Sequence, residues 1–464
     1  MAKPSYDELL EVISQLQRLL AERDRRIAEL ERLVEELHRG GKRQAAPFSK
    51  GKPKKNPKRP GRKPGRDYGH QVVRSAPKRI DETIVVPCPL YCKLCEGPVR
   101  LRGKASQYQI DLPPIRPRTT RFVVHYGQCR HCGRRVQGRH PRQSSDALEV
   151  GRVQIGPGVV SWAAYLNKVG GLSYAKVTGV FEQMTGLKVA RSTLCRALRR
   201  LARKAQPTYE ALVETIRASP VVYPDETGWK VGGRKAWLWA FTNRKQTVYA
   251  IERGRGYDEA ASILGEDYSG VIGADGWAPY RRFEHASMQT CLRHLLSRSR
   301  DMLETATRGA VRFPRKVKAI LQDALRLRER RDTGKISPHG VRVATGRLRA
   351  RMSRLISGRI TNPDNLRFAN HLSRYQQALF LFLERSDVEA TNWPAEHAIR
   401  PAVVNRKSCG GNRTEKGART QAILMSILRT CHQRGRSALA VFQKMLRDPV
   451  PRTHRLVPSA RTNR

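Results

Sequence analysis

Residues 221–229 read VVYPDETGW and residues 270–277 read GVIGADGW, and these two stretches decide the fold. Each is a short apolar run followed by an aspartate, Asp225 in the first and Asp275 in the second. Around them the pattern is strand-like at 236–241, 247–251 and 287–291 and helical at 257–264 and 292–305. This alternation of short strands and helices predicts a mixed α/β sheet.

The positions of the two aspartates point to a catalytic edge of that sheet. Asp225 and Asp275 are each predicted to lie just past the end of a strand. If those strands are neighbours, both carboxylates emerge at one edge, where open α/β sheets commonly hold their sites. Carboxylates are the ligands that Mg²⁺ prefers, and two such ions ~3.5–4 Å apart can clamp a reacting phosphodiester.

A site of this kind needs a third acid, and Glu396 is the best candidate. It lies in the stretch TNWPAEHAIRP at 391–401, where Pro394 suits the first turn of a helix. Glu226 and Glu389 are rival carboxylates, and an acid beside a strand can instead be a plain turn or capping residue.

The charge and the apolar content of the sequence indicate which class of partner the protein binds. The 464 residues include 90 Lys and Arg against 40 Asp and Glu, a formal charge of +50. Such an excess repels itself unless a polyanion binds it, which favours a nucleic acid partner over a merely basic surface. No apolar run approaches the ~20 residues of a membrane span, and the start lacks the features of a signal peptide. We therefore expect a cytoplasmic, nucleoid-associated protein with no membrane partner.

Five of the nine cysteines lie between Cys88 and Cys132. Two Cys-x-x-Cys pairs stand there, and their spacing predicts one structural Zn²⁺ in a zinc ribbon over 81–142. The predicted ligands are Cys92, Cys95, Cys129 and Cys132. Cys88 could replace a ligand of the first pair, and a redox Cys-x-x-Cys is the alternative, although it would need only one pair.

The N-terminal region has two parts. Residues 5–39 are predicted to form one helix whose Leu and Ile recur by threes and fours, which favours a coiled coil and a homo-oligomer over a lone amphipathic helix. Residues 40–80 are basic, rich in Pro and Gly, and predicted to be a disordered linker. Within it Arg62 and Arg66 belong to a PGRKPGR stretch that fits either a minor-groove contact or an electrostatic tether.

Residues 150–218 are predicted to be helical and to bind DNA. A helix at 174–185, a turn at Gly186 and a second helix from about 190 to 201, capped by Ser192 or Thr193, resemble a helix-turn-helix. Arg191 and Arg196 would then face DNA. An ordinary basic helical hairpin is the alternative.

The ordered motifs closely resemble those of insertion-sequence family 66 transposases. They are Pro224-Asp-Glu-Thr, Ala274-Asp-Gly-Trp, Cys291-Leu-Arg-His294 and Asn392-x3-Glu396-x3-Arg400-Pro401. The likeness covers nearly the whole chain. It implies a ribonuclease H-like fold whose DDE site consists of Asp225, Asp275 and Glu396, all three catalytic and all three ligands of two Mg²⁺ or Mn²⁺ ions.

The resemblance thus implies a multi-domain α+β transposase that cuts and joins DNA at transposon ends and target. Its ribonuclease H-like core would be split into 219–300 and 391–436 by a helical insertion at 301–390, with a patternless basic tail at 437–464. A catalytically inactive zinc-dependent DNA-binding regulator and a structure-specific nuclease of the same fold are the alternatives.

Some residues near the implied site have open roles. Cys291 and His294 are half of a metal site at most, and packing beneath the active site is the favoured interpretation. Three basic residues follow Glu396 in the sequence, Arg400, Arg406 and Lys407. They could bind DNA phosphates or form surface ion pairs instead.

Overall fold

A computed structural model describes residues 6–42, 75–148 and 154–456. The chain divides into two compact units, Met1–Pro113 and Pro114–Arg464, which we describe separately. Together the described residues form a mixed α+β protein. Most of the predicted linker, including Arg62 and Arg66, lies outside the described residues. No described helix is both long enough and apolar enough to cross a lipid bilayer.

The first unit contains one long helix, α1 (Tyr6–Lys42), as predicted. The helix continues through Gly40 and Gly41, past its predicted end at residue 39. Each glycine costs a helix only about 1 kcal/mol relative to alanine, so two near a terminus need not stop it. Its described apolar side chains are exposed at Ile13, Leu16, Leu20, Ile27 and Leu30.

The second unit begins with the hairpin strands β1 (Tyr126–Gln128) and β2 (Arg135–Gln137), followed by helices α2 (Pro157–Lys168), α3 (Tyr174–Thr185) and α4 (Arg191–Arg217). The predicted bounds of α3 are confirmed, and Gly186 ends that helix in the left-handed conformation.

The prediction for α4 needs two corrections. Its N-cap is Ala190 without a side-chain hydrogen bond, so Ser192 and Thr193 are helical residues and not caps. The helix also extends beyond 201 to Arg217, because the apolar spacing continues through Leu212 and Ile216, which are buried.

A five-stranded sheet forms the centre of the second unit. Its strands are β3 (Val221–Val231), β4 (Arg234–Thr242), β5 (Thr247–Glu252), β6 (Val271–Ala274) and β7 (Ser287–Thr290), in the order β5-β4-β3-β6-β7. The first three are antiparallel, whereas β6 and β7 run parallel to β3. The predicted mixed sheet is confirmed.

Helices pack on both faces of this sheet. The helices that follow α4 in the chain are α5 (Tyr257–Leu264), α6 (Leu292–Thr305), α7 (Arg312–Asp332), α8 (Pro338–Ile356), α9 (Pro363–Arg374), α10 (Leu381–Glu384), α11 (Trp393–Cys409), α12 (Glu415–Gln433) and α13 (Ala438–Arg447). Successive strand residues face opposite sides. Val222 accordingly packs with α4, α12 and α13, while Val221 and Tyr223 pack with α6 and α7.

The helix α13 corrects the prediction of a patternless tail from 437. Val441, Phe442, Met445 and Leu446 recur by threes and fours and are buried in the same core as α4 and α12. Ser437 caps the helix by accepting a hydrogen bond from the Ala440 backbone N–H. The periodic signal was present in the sequence but was hidden among the many basic residues.

Candidate active site

The two aspartates lie on adjacent strands of the central sheet. Asp275 directly follows β6, as predicted, and its carboxylate accepts a hydrogen bond of 3.0 Å from the Trp277 backbone N–H. Asp225 lies inside β3 and not past its end, which corrects the prediction. The parallel pairing of β3 with β6 stops at Val222, and only the antiparallel pairing with β4 continues. Both aspartates therefore follow the last parallel pair.

Glu396 lies in the first turn of α11, as its Pro394 predicted. Asn392 is the N-cap residue, and its carbonyl accepts a 3.1 Å hydrogen bond from the Glu396 backbone N–H. The carboxylate is partly exposed and forms an ion pair with Arg293 of α6. The start of this helix thus presents Glu396 toward the start of α6.

The charges of these acids act on one another. Burial and the neighbouring charges of Glu226, Asp275 and Glu396 together raise the pKa of Asp225 to about 7, against the lowering effect of the hydrogen bond from the Glu226 backbone. Within the described part of the chain, Asp225 accepts a hydrogen bond from the Glu226 backbone N–H and has no ion-pair partner. A desolvated carboxylate among other carboxylates, without a neutralising cation, is electrostatically strained.

The two rival acids differ in this respect. The buried carboxylate of Glu226 accepts from Arg255 at 2.6 Å and from the Tyr280 hydroxyl at 3.3 Å. Glu389 pairs with Arg328 at 2.5 Å and with Arg244 at 3.2 Å. Both of these carboxylates are more buried with their arginines than Glu396 is with the exposed Arg293, so their charges are the more firmly neutralised.

Asn392 connects three elements of the site, a role that was not predicted although the residue begins one of the quoted motifs. Its side chain is buried, and its amide Nδ2 donates to the Pro224 carbonyl at 3.0 Å, next to Asp225. Its backbone N–H donates to the Cys291 thiol at 3.1 Å. One residue therefore fixes the strand of Asp225, the N-terminus of α6 and the helix of Glu396 relative to one another.

Cys291 and His294 stand at the start of α6. Cys291 is the buried N-cap residue, and His294 is exposed one turn further on. Their ligand atoms and a carboxylate oxygen of Glu396 all lie within 4.8 Å of one another. The Cys-x-x-His pattern by itself is half a metal site, because nothing local to it shows which distant side chain supplies a third ligand.

The four cysteines of the predicted zinc ribbon lie in two tight turns. In the first unit, the Cys92 backbone N–H donates to the Gly97 carbonyl at 2.8 Å. In the second unit, the Cys129 N–H donates to the Arg134 carbonyl at 2.9 Å. Backbone hydrogen bonds within each turn lower the pKa of the Cys92 and Cys129 thiols, which favours the thiolate that zinc needs. The four-ligand site stays a prediction.

The predicted DNA contacts divide into two groups. Arg191, Arg196, Arg400 and Lys407 are exposed on their helices. Arg406 is half-buried and donates to the Thr227 hydroxyl at 3.0 Å and to the Gly228 carbonyl, so its guanidinium supports β3. This arrangement is neither of the two roles predicted for Arg406, a phosphate contact or a surface ion pair.

The raised pKa of Asp225 makes stability depend on pH. The folded chain holds this proton to about pH 7, whereas an unfolded chain releases it near pH 4, so the free energy of unfolding falls as pH rises between these values. Asp225→Asn removes this effect. Thermal unfolding in EDTA should show the variant gaining stability over the parent as pH rises from 4 to 7, with no further gain above.

The matched control is Asp258→Asn, an exposed carboxylate on α5. Its unfolding temperature should follow that of the parent at every pH. An unchanged difference between Asp225→Asn and the parent at pH 5 and pH 8 would show that Asp225 titrates normally.

Comparisons with known proteins give two findings. A family model described as "Transposase IS66 family" matches residues 152–420, a range that contains Asp225, Asp275 and Glu396. The chain is also 25% identical over 283 residues to the uncharacterized protein y4qI of Sinorhizobium fredii, an alignment that covers 54% of this chain and 51% of that protein. The chain spans about half the length of the curated relative that it matches.

Proposed function

This chain belongs to the IS66 family of transposases, and on that premise we propose that it is a DDE-type DNA transposase. Asp225, Asp275 and Glu396 would form its catalytic unit. Its substrates would be the double-stranded DNA at the ends of an insertion sequence and at the target.

The observation that carries this proposal is the state of Asp225. Its carboxylate lacks a cationic partner among the described residues, and its pKa is raised first by burial and then by the charges of Glu226, Asp275 and Glu396. A carboxylate in this state would bind divalent cations, whose charge would relieve the repulsion among the neighbouring carboxylates. Three hard oxygen donors also match the preference of Mg²⁺ and Mn²⁺.

When bound, two such ions would supply Lewis-acid stabilisation to the attacking and leaving oxygens of the phosphodiester. The residues of the chain would contribute by positioning the acidic side chains and the DNA. Asn392 holds the strand of Asp225 and the helix of Glu396 in register. Arg400 and Lys407, exposed on α11, would contact the phosphates that flank the scissile bond.

The remaining parts fit a DNA-handling enzyme. The strand order β5-β4-β3-β6-β7 supports a ribonuclease H-like core, and helices α7 to α10 form the insertion between Asp275 and Glu396. We propose that the helices of 150–218 and the basic linker bind DNA, that the cysteine pairs hold one structural Zn²⁺, and that α1 joins copies of the chain as a coiled coil. DNA binding would place the protein at the nucleoid.

A strand-joining assay tests the function. The full chain is incubated with Mg²⁺, a labelled duplex from the DNA that flanks its gene, and a target plasmid. We expect cleavage at the element ends followed by transfer of the freed 3′-hydroxyl into the plasmid. Cleavage without joining would identify a nuclease of the same fold. DNA binding without cleavage in Mg²⁺ or in Mn²⁺ would identify a regulator.

A further inference from the structure

We infer that Cys291, His294 and Glu396 form a binding site for a soft divalent cation such as Zn²⁺, separate from the predicted zinc ribbon. The thiol sulfur, an imidazole nitrogen and a carboxylate oxygen lie within 4.8 Å of one another. Ligands bound at ~2.0–2.3 Å around one tetrahedral ion stand closer together than this upper limit, so the three side chains would need to close by at most about 1.5 Å.

The ligand chemistry selects the metal. Sulfur and imidazole nitrogen favour Zn²⁺ and its neighbours in the transition series, whereas Mg²⁺ takes oxygen ligands almost alone. One thiolate and one carboxylate together balance the charge of a divalent ion, and the thiol proton would leave to solvent on binding. Three protein ligands leave a fourth position for water, as in open zinc sites.

The fold holds these ligands in place before any ion arrives. Cys291 and His294 are separated by three positions at the start of α6, so both side chains lie on one face. The Asn392 backbone N–H donates to the Cys291 sulfur, and Asn392 also caps the helix that carries Glu396. Cys291 is buried, while His294 is exposed and gives the ion a route from solvent.

Arg293 competes for the site. Its guanidinium pairs with Glu396, and its side chain is 63% exposed. Ion pairs this exposed are weak, so an incoming cation displaces it at small cost. Arg293→Gln should therefore strengthen Zn²⁺ binding by about two- to fivefold.

The site shares Glu396 with the proposed catalytic unit, and this consequence rests on the proposed function. An ion held by Cys291 and His294 draws that carboxylate away from Asp225 and Asp275. Zinc at this site is therefore an inhibitor of Mg²⁺-supported cleavage.

Zinc stoichiometry tests the site without any activity assay. The full chain is dialysed against buffered Zn²⁺, and metal per chain is counted by elemental analysis. The parent and the control Cys431→Ser, which alters a buried thiol of α12, should hold one zinc more than Cys291→Ser. Loss of a residue that binds the ion directly should lower the zinc affinity of this site by more than about 100-fold. Even the loss of a residue that only hydrogen-bonds to a ligand lowers metal affinity by about 10–100-fold.

His294→Ala provides a second variant, because the exposed histidine is replaceable without disturbing the fold should Cys291→Ser unfold. Equal zinc content in the parent, His294→Ala and folded Cys291→Ser would overturn the site.

Inhibition is then measured as the zinc concentration that halves each protein's own Mg²⁺-supported cleavage. Both variants should need at least about tenfold more zinc than the parent, in line with their weakened binding. Cleavage that persists with the extra zinc bound would overturn the inhibitory role. A parent that binds the extra zinc yet never cleaves DNA would contradict the proposed function and leave the metal site standing.

Discussion

Asp225→Asn is expected to abolish both cleavage and joining of transposon-end DNA, by at least about a thousandfold. A metal-ion site contributes several kcal/mol to stabilising the transition state, and each ~1.4 kcal/mol is a factor of ten in rate. The amide keeps the shape of the side chain but removes the negative charge that would attract the ions. Asp275→Asn and Glu396→Gln should lose activity to a similar extent, because residues that act as one unit fail together.

DNA affinity should change little in these variants. Binding would rest on the dispersed Lys and Arg, and removal of a carboxylate only reduces its repulsion of phosphate. A mobility-shift titration at fixed salt measures this. Asp225→Asn should also unfold at a higher temperature than the parent above pH 7, so its loss of activity would not be a loss of fold.

Glu389→Gln is the matched control for the third acid. Its carboxylate is more buried than that of Glu396 and pairs with two arginines, Arg328 and Arg244, so its charge is the more firmly neutralised. This variant should retain cleavage whenever it is folded, as circular dichroism would verify. Activity of Asp275→Asn within tenfold of the parent would refute the proposed mechanism, and inactivity of folded Glu389→Gln would reopen the assignment of the third acid.

Phe442→Ala is expected to lower the free energy of unfolding by about 3–5 kcal/mol. The ring is fully buried in α13, among apolar residues of α4, α12 and the sheet. Replacing the ring with a methyl group removes buried apolar area and leaves a cavity. The surrounding helices are packed too closely to collapse into that cavity. Denaturant unfolding at pH 7 measures the change.

Lys444→Ala is the control for that substitution. Lys444 is exposed on the same helix, and surface changes of this kind usually stay within about 0.5 kcal/mol. Equal stability of the two variants would show that α13 is not part of the folded core.

The sheet was predictable from sequence where local signals agreed. The bounds of α5 and α6 follow from apolar residues at helical spacing, and those of β4 and β5 from short apolar runs between turns. The length of β3 was missed although a signal existed. Gly232 and Gly233 both adopt positive φ and join β3 to β4 in a two-residue hairpin, which extends the strand past Asp225.

The candidate site was less predictable than the sheet. Asp225 and Asp275 could be placed together because each follows a short apolar run in the sequence. The grouping of Glu396 with Cys291 and His294 could not, since it depends on how α6 and α11 meet. Asn392 was equally hidden, because its three contacts connect segments that are remote along the chain.

The burial of α13 has a consequence for how the protein is made. The core that supports β3 and β5 includes side chains of α12 and α13, which leave the ribosome after Asp225, Asp275 and Glu396. Contacts between such distant segments form late and slowly. A growing chain that has already emerged through Glu396 would carry every acid of the proposed site without the packing that aligns them. Competence to cut DNA would then arise only after residue 446 has been synthesised.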